Sequence, residues 1–350
     1  MSGRTTTSTT TVAPAELAAG LIRQAGTIIT ITHTAPDADA IGGLLGLTLA
    51  LRSIGANVTP ACSDEIPARF KVMPGYDDIV RAVPAPPDLL IALDCADRER
   101  TGKLAAAPDW LSVPILNIDH HVTNTLFGRV NWVDTEVTAT SEIVLRLIDH
   151  LNIPLTPDIA TNLLHGIVGD TLGFRTPHTT PHALACAMRL MAAGANLFEI
   201  MDVQFNRRPF ALLCLWSKAL EAMKLEPAFS PDHARVIWTQ ISKDARRACG
   251  QADWGNTGLS SFLVSADEVD VAAVIVEKDD GQIDVSLRAK QGFDVSAAAQ
   301  SLGGGGHPLA AGATIEGPLS AAAERMLVAL RSIQRSTKNV SSSSLSPFSS

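Results

Sequence analysis

Short apolar runs that end in an acidic or imidazole side chain recur in the first 120 residues, and they restrict the fold more than any other feature. TIITITH (27–33), DLLIALD (88–94) and PILNID (114–119) are short and continuously apolar, as expected of parallel strands buried on both faces. A helix-like segment runs from about Asp39 to Ile54 and stops at Gly55, a suitable C-cap residue. Further helix candidates span 140–151 and 158–168, the latter leading into Gly169-Asp170-Thr171. Strands alternating with helices predict an α/β fold: an open parallel sheet with helices on both faces. Such sheets bind ligands beyond the carboxyl ends of their strands, which is where this chain places its polar residues.

The texture changes in the second half. Residues 197–225 read as one or two helices broken at Pro209, followed by the turn-rich EPAFSPDH (226–233). ARVIWTQIS (234–242), VDVAAVIVEK (269–278) and QIDVSLRAK (282–290) carry strand patterns, the last two joined by a hairpin turn at Asp279-Asp280-Gly281. A short helix (294–301), a glycine run and an amphipathic helix (about 319–334) complete a smaller α+β domain. Residues 1–13 and 336–350 are polar, low-complexity ends expected to be disordered, and no internal repeat is evident.

Composition narrows the function. A length of 350 residues suggests two domains, and 46% apolar against 18% charged residues is enough for a sizeable core. The net charge is −8, the pI about 5.6, and no Lys/Arg block appears. A protein that holds a long polyanion carries a basic face, so a stable long nucleic-acid complex is disfavoured. Aromatic content of 5% argues the same way against stacking on extended single strands. Small anionic ligands remain open, because metal ions can reverse the local sign of an acidic site. The five cysteines are scattered without CxxC spacing and read neither as a disulfide framework nor as a zinc cage. With no apolar run near the ~20 residues of a membrane span and no signal-peptide core, a cytoplasmic protein is expected.

The strand ends carry the chemistry. His33, Asp37 and Asp39 lie within seven residues where a strand gives way to a helix. Nitrogen and carboxylate donors without thiolate suit Mn²⁺, Mg²⁺ or Co²⁺ rather than structural zinc. Asp94 ends the next run, Asp119-His120-His121 the one after, and Asp170 follows an apolar helix. Singly, these residues have ordinary explanations, such as a helix N-cap for Asp94. Their coincidence at the ends of one sheet points to a shared site.

The order H-x3-D-x-D, strand-end D, DHH, then GD resembles the DHH phosphoesterase superfamily, and Gly303-Gly304-Gly305-Gly306-His307 through Gly312 resembles the signature of the associated DHHA1 domain. The resemblance implies a DHH catalytic domain over 14–195, a helical linker over 196–228 and a DHHA1 substrate-binding domain over 229–335. It implies two divalent cations, Mn²⁺ before Mg²⁺ or Co²⁺, one held by His33, Asp37 and Asp94, the other by Asp39, Asp94, His120 and Asp170, with Asp94 bridging. His121 is then left to face the scissile phosphate as donor or general acid, while Asp119 orients a histidine or the loop. Arg288, whose planar fork suits phosphate, and Gly304, Gly305, Gly306 and His307 would grip the substrate.

The pairing of these two domains resembles the nanoRNase group, which implies hydrolysis of very short RNA and of 3′-phosphoadenosine 5′-phosphate (pAp), and a homodimer. A cyclic-dinucleotide phosphodiesterase is the same-chemistry alternative. A nucleotide-binding regulatory protein is the alternative of another class, disfavoured because all six ligand positions are intact.

Overall fold

The computed structural model describes residues 13–335 except 84, 105–109, 229, 231 and 251–257; both expected disordered ends lie outside the described residues, Ala13 apart. The described residues up to Arg207 form one compact unit and those from Arg208 a second.

In the first unit, helix α1 (Pro14–Gln24) precedes strand β1 (Ile28–Thr32), helix α2 (Ala38–Ser53) and strand β2 (Val58–Ala61). Strands β3 (Leu89–Leu93), β4 (Ile115–Asp119) and β5 (Val130–Val133) follow, then helices α3 (Thr140–His150), α4 (Pro157–Asp170), α5 (Pro181–Ala192) and α6 (Leu197–Met201). A π-helical turn, Asp202–Asn206, continues α6. The five strands are all parallel, in the order β2-β1-β3-β4-β5. β1, β3 and β4 are buried at every position, which is why their sequences run apolar without alternation.

The expectation of helices on both faces needs correction. Ile28, Leu89, Ile91, Leu116 and Ile118 face a large core filled from helices α1 to α5. Ile29, Ile31, Leu90, Ala92 and Ile115 face a smaller core, closed among the described residues by Trp110, Val80, Val83, Leu104 and other residues outside any α-helix. Among its described residues, the β3–β4 connection, which an alternating pattern would fill with a helix, contains the 3-10 turn Glu99–Thr101 and no α-helix. Chain segments that lack helical periodicity can still cover a sheet when a few large side chains seal it.

Helices α2 and α4 touch main chain to main chain. A Cβ on Gly42 would stand 2.5 Å from the Asn162 carbonyl oxygen and 2.9 Å from the Gly166 nitrogen, and one on Gly166 would stand 2.5 Å from Asp39 Oδ1. Only glycine fits such an approach, and it draws the first turn of α2 toward the last turn of α4. On α4, His165 is 2% exposed, and its Nδ1 accepts from the Gln204 amide at 3.0 Å. Burial lowers this imidazole to about 4, so it is neutral in the fold.

In the second unit, α7 (Phe210–Glu221), β6 (Lys224–Glu226), β7 (Val236–Ile241), α8 (Lys243–Ala248) and α9 (Leu259–Leu263) lead to β8 (Val271–Glu277) and β9 (Gln282–Ala289). Helix α10 (Ser296–Ser301), β10 (Gly305–His307), β11 (Ala310–Glu316) and α11 (Leu319–Leu330) complete it. The mixed sheet runs β10-β11-β9-β8-β7-β6, with only β7 and β8 parallel. Period-two alternation sends Ala273, Ile275, Val285 and Leu287 to a core with α10 and α11, and Ala272, Val274 and Val276 to one with α7 and α9. Pro209 caps α7 at the expected break, and α7, inside the stretch read as linker, packs Leu215 and Ala219 into this unit.

Cys214 and Cys249 form a disulfide across 35 residues, tying α7 to the end of α8, whereas the sequence had suggested no pairing. Spacing gave no sign of it because two separate helices bring the residues together, with Cα atoms 5.7 Å apart.

Two outcomes test this packing. Gly42→Ala should destabilise the protein by about 1–3 kcal/mol in denaturant unfolding, the cost of forcing a methyl into a filled contact; full stability would mean that α2 and α4 are not in contact. For His165, the native pKa is depressed below the unfolded value of about 6.5. Its neutral form contributes stability fully above that pH, and the contribution, on the order of 3 kcal/mol, is lost as pH falls from 6.5 toward 4. Urea unfolding of His165→Gln should therefore show a shallower loss of stability over that window than the wild type.

Candidate metal centre

Each expected ligand is placed by the element that ends or begins beside it. His33 follows β1 and is 4% exposed. Its Nδ1 lies 2.8 Å from the Thr34 carbonyl oxygen, and its Nε2 lies 3.5 Å from Asp94 Oδ2 and 3.9 Å from Asp37 Oδ1. Asp37 is the N-cap of α2, its Oδ1 accepting from the main-chain N–H groups of Asp39 and Ala40 at 3.0 Å each. That cap fixes the turn by which β1 hands its polar loop to the helix.

Asp39, in the first turn of α2, is fully buried. Oδ1 accepts from the N–H and hydroxyl of Ser141, and Oδ2 from the N–H of Thr140, so the carboxylate sits on the N-terminus of α3. The Thr140 hydroxyl donates to Asp94 Oδ1 at 2.9 Å. Asp94 itself follows β3 with a left-handed φ of +60°, a conformation aspartate tolerates better than most residues. Its N–H donates to the Ile118 carbonyl at 3.0 Å, fixing the turn against β4.

His120 follows β4, with Nε2 3.5 Å from Asp94 Oδ1 and 3.3 Å from Asp170 Oδ2 at the end of α4. The fold thus gathers all six residues into two adjacent groups, His33 with Asp37 and Asp94, and Asp39 with His120 and Asp170. Within each group the potential ligand atoms lie within 4.8 Å of one another. Asp94 lies between them, its Oδ2 facing His33 and its Oδ1 facing His120, and it forms a further such group with His120 and His121.

Burial and the cluster's own charges set its electrostatics. Burial works to raise Asp94, but the surrounding imidazoles of His33, His120 and His121 hold it down at about 2. Burial, with Asp94 as a neighbouring negative charge, pushes Asp39 well above the carboxylate range. Asp170 is pushed the same way by burial and by Asp39 and Asp94. Carboxylates that oppose one another's ionisation in this way either hold a proton or share cations among them. The nitrogen-and-oxygen donor set fits hard or intermediate divalent ions.

His121 is placed differently. Its Nδ1 donates to the fully buried Asp119 at 2.7 Å, and this bond above all raises the imidazole to about 9. The Asp119 carboxylate also accepts from the His120 N–H and from the Asn124 amide. With Nδ1 taken by Asp119, the nitrogen nearest Asp94, 3.6 Å away, is not a free ligand atom.

In the second unit, Arg288 on β9 and His307 on β10 are both in register with Ala310 of β11, one row across three strands. Arg288 is half-buried, its Nη1 donating to the Leu287 carbonyl, and burial lowers its pKa. Gly305 and Gly306 belong to the edge strand β10, where the sequence suggested a loop. Cβ atoms on Gly304 and Gly306 would strike the β11 main chain at 2.1 and 2.5 Å. These two glycines let the edge strand lie against β11.

Sequence reasoning missed Thr140, Ser141, Asn124 and Arg100, whose side chains surround the ligands. Thr140-Ser141 at a helix start is a visible signal, but its carboxylate partner is over a hundred residues away. A separate donor group away from these, Glu142, His182 and Cys186, was also not foreseen. There Glu142 accepts from the N–H and hydroxyl of Thr138 and from His182, closing the start of α3.

Comparison with known proteins agrees with this geometry. Residues 27–167 match the model of the DHH family, N-terminal domain, and residues 251–336 that of the DHHA1 domain. The chain is 35% identical over 316 residues to the bifunctional oligoribonuclease and PAP phosphatase NrnA of Thermus thermophilus, covering 87% of this chain and 90% of that protein. The chain belongs to the DHH family. It is a hydrolase of phosphoester bonds, as the relatives' names describe. The Bacillus subtilis NrnA is 29% identical over 301 residues, covering 83% of this chain and 89% of that one. An exopolyphosphatase-related protein from Bacteroides fragilis shares the fold with a TM-score of 0.79 at 24% identity, over 92% of this chain and 97% of that one. Exonuclease RecJ bound to manganese does so at 0.52 and 16% identity, over 91% and 94%.

Replacing Asp94 by Ala should abolish turnover and reduce manganese binding measured by calorimetry. Activity near the wild-type level would remove Asp94 from any shared role.

Proposed function

We propose that this chain degrades RNA of a few nucleotides and removes a phosphate from pAp, using a pair of divalent cations, manganese foremost. The reading is carried by one observation, the two donor groups with Asp94 between His33 and His120, and its substrate class follows the NrnA relatives, which match over about nine-tenths of their length. A cyclic-di-AMP phosphodiesterase from Listeria monocytogenes is more distant, at 22% identity and covering 48% of that protein.

His33, Asp37 and Asp94 would hold one cation, and Asp39, Asp94, His120 and Asp170 the other. When bound, such a pair supplies Lewis acidity, lowers the pKa of water and neutralises charge on phosphoryl oxygens. The chain's own residues do the rest. Asp119 fixes the ring of His121 and keeps it protonated near neutral pH, a state suited to donating a proton to a leaving oxygen. Asp39 is locked by the start of α3, so its donor geometry is set before any ligand arrives.

Arg288 and His307, one row apart on the second sheet, would hold a phosphate or base of the substrate. The edge position of Gly305 and Gly306 leaves one row of main-chain N–H groups for an anion. Two further proposals accompany this reading. Leu184, Met188 and Met191 lie exposed along α5 at helical spacing, an apolar stripe that a homodimer would cover. Residence in the cytoplasm fits a chain in which, among the described residues, no single helix is long and apolar enough to cross a membrane.

Purified protein with Mn²⁺ should release mononucleotides from a ladder of two- to five-nucleotide RNA and phosphate from pAp, and should leave c-di-AMP largely intact. Faster cleavage of c-di-AMP would reverse the substrate order. Absence of both bound metal and cleavage would mark a binding protein instead.

A further inference from the structure

Arg100 stands at the metal centre without a role in the scheme above. It lies exposed on the 3-10 turn Glu99–Thr101, after β3 and Asp94. Its main chain is fixed at both ends. The Arg100 N–H donates to Asp97 Oδ1 at 2.8 Å, and its carbonyl accepts from the Thr34 N–H at 2.8 Å. The turn is therefore pinned to the β1–α2 loop, and the guanidinium is delivered to within 3.3 Å of His33 Nδ1. Its charge also reaches His121, where it acts against the proton that Asp119 stabilises. The side chain thus lies close to the two histidines that end the first and third polar loops.

The contact with His33 cannot persist once the site is loaded. A cation on Nε2 requires the ring proton to be on Nδ1, where the Thr34 carbonyl 2.8 Å away accepts it. A guanidinium has only donors, so Arg100 then faces another donor and loses its acceptor. Among the described residues no carboxylate lies within ion-pair range of Arg100, whereas Arg23, Arg52, Arg146 and Arg189 of this unit are each paired with one. An arginine held by its main chain at the rim of an acidic metal site, with its donors released by the form of His33 that binds metal, is built to take an anion.

We propose that Arg100 binds a phosphate group of the substrate beside the metal centre, as a specificity residue contributed by the metal-binding unit itself. The inference rests on the phosphoesterase reading and adds to Arg288 and His307 a phosphate ligand adjoining His33. The expected consequence is on affinity rather than on metal retention, because Arg100 donates nothing to the ligand carboxylates.

The test uses full-length protein loaded with Mn²⁺ and titrated calorimetrically with inorganic phosphate, alongside steady-state kinetics on pAp. Arg100→Gln should weaken phosphate binding and raise KM by about 10- to 100-fold, the range for losing charge-assisted hydrogen bonds. The manganese content should stay at the wild-type level and kcat should change less than KM. Arg100→Lys, which keeps the charge but not the fork, should recover part of the loss. Unchanged phosphate affinity in Arg100→Gln overturns the proposal, as does loss of manganese, which would make Arg100 part of the metal scaffold. If the wild type holds manganese yet neither binds phosphate nor cleaves any substrate, the phosphoesterase reading fails first, and the two failures are told apart.

Discussion

Where α2 meets α4, Gly42 and Gly166 leave no space for a methyl group, and the donor cluster depends on that approach. Asp39 begins α2 and Asp170 ends α4, so the two carboxylates can share a group with His120 only if the helices meet at that distance. The N-terminus of α3 lies against the same contact and places Ser141 and Thr140 on Asp39. Wider helix spacing would leave a buried aspartate with neither its amide donors nor its partners, an uncompensated charge that no small domain tolerates.

That geometry explains why the centre is assembled from acids that oppose one another. Asp94 stays ionised among three imidazoles, while Asp39 and Asp170 are driven toward their neutral forms by burial and mutual repulsion. Divalent cations held by these residues would supply compensating charge, and their binding would be coupled to proton release. The surrounding polar groups, from Asp119 and Asn124 to Thr34, fix the ring orientations of His121 and His33.

Strands β1, β3 and β4 were legible in the sequence to within a residue or two, because they are buried on both sides and read as unbroken apolar runs, whereas β5, β6 and β11 were not read as strands. The hairpin β8–β9 was equally plain from its turn at Asp279-Asp280-Gly281. Less legible were β2, whose four residues include a proline, and β10, whose glycines resemble a loop. Those segments are strands because their neighbours pair with them, and local composition argues otherwise. The one-sided helical cover and the disulfide between Cys214 and Cys249 were missed for a related reason, since both arise from contacts between segments far apart in the chain.

By itself, the sequence determined the chemical character of the protein: nitrogen and oxygen donors at strand ends, an acidic balance, and a motif order that suffices to place the chain in its family. Each of these is carried by residue type and spacing, which the chain displays before it folds. The tertiary structure decided how the donors are grouped, that Asp94 lies between His33 and His120, and that Arg100 reaches His33. Those facts depend on distances between residues that are dozens to a hundred positions apart. Such distances are set by helix packing and strand register, which no local pattern records.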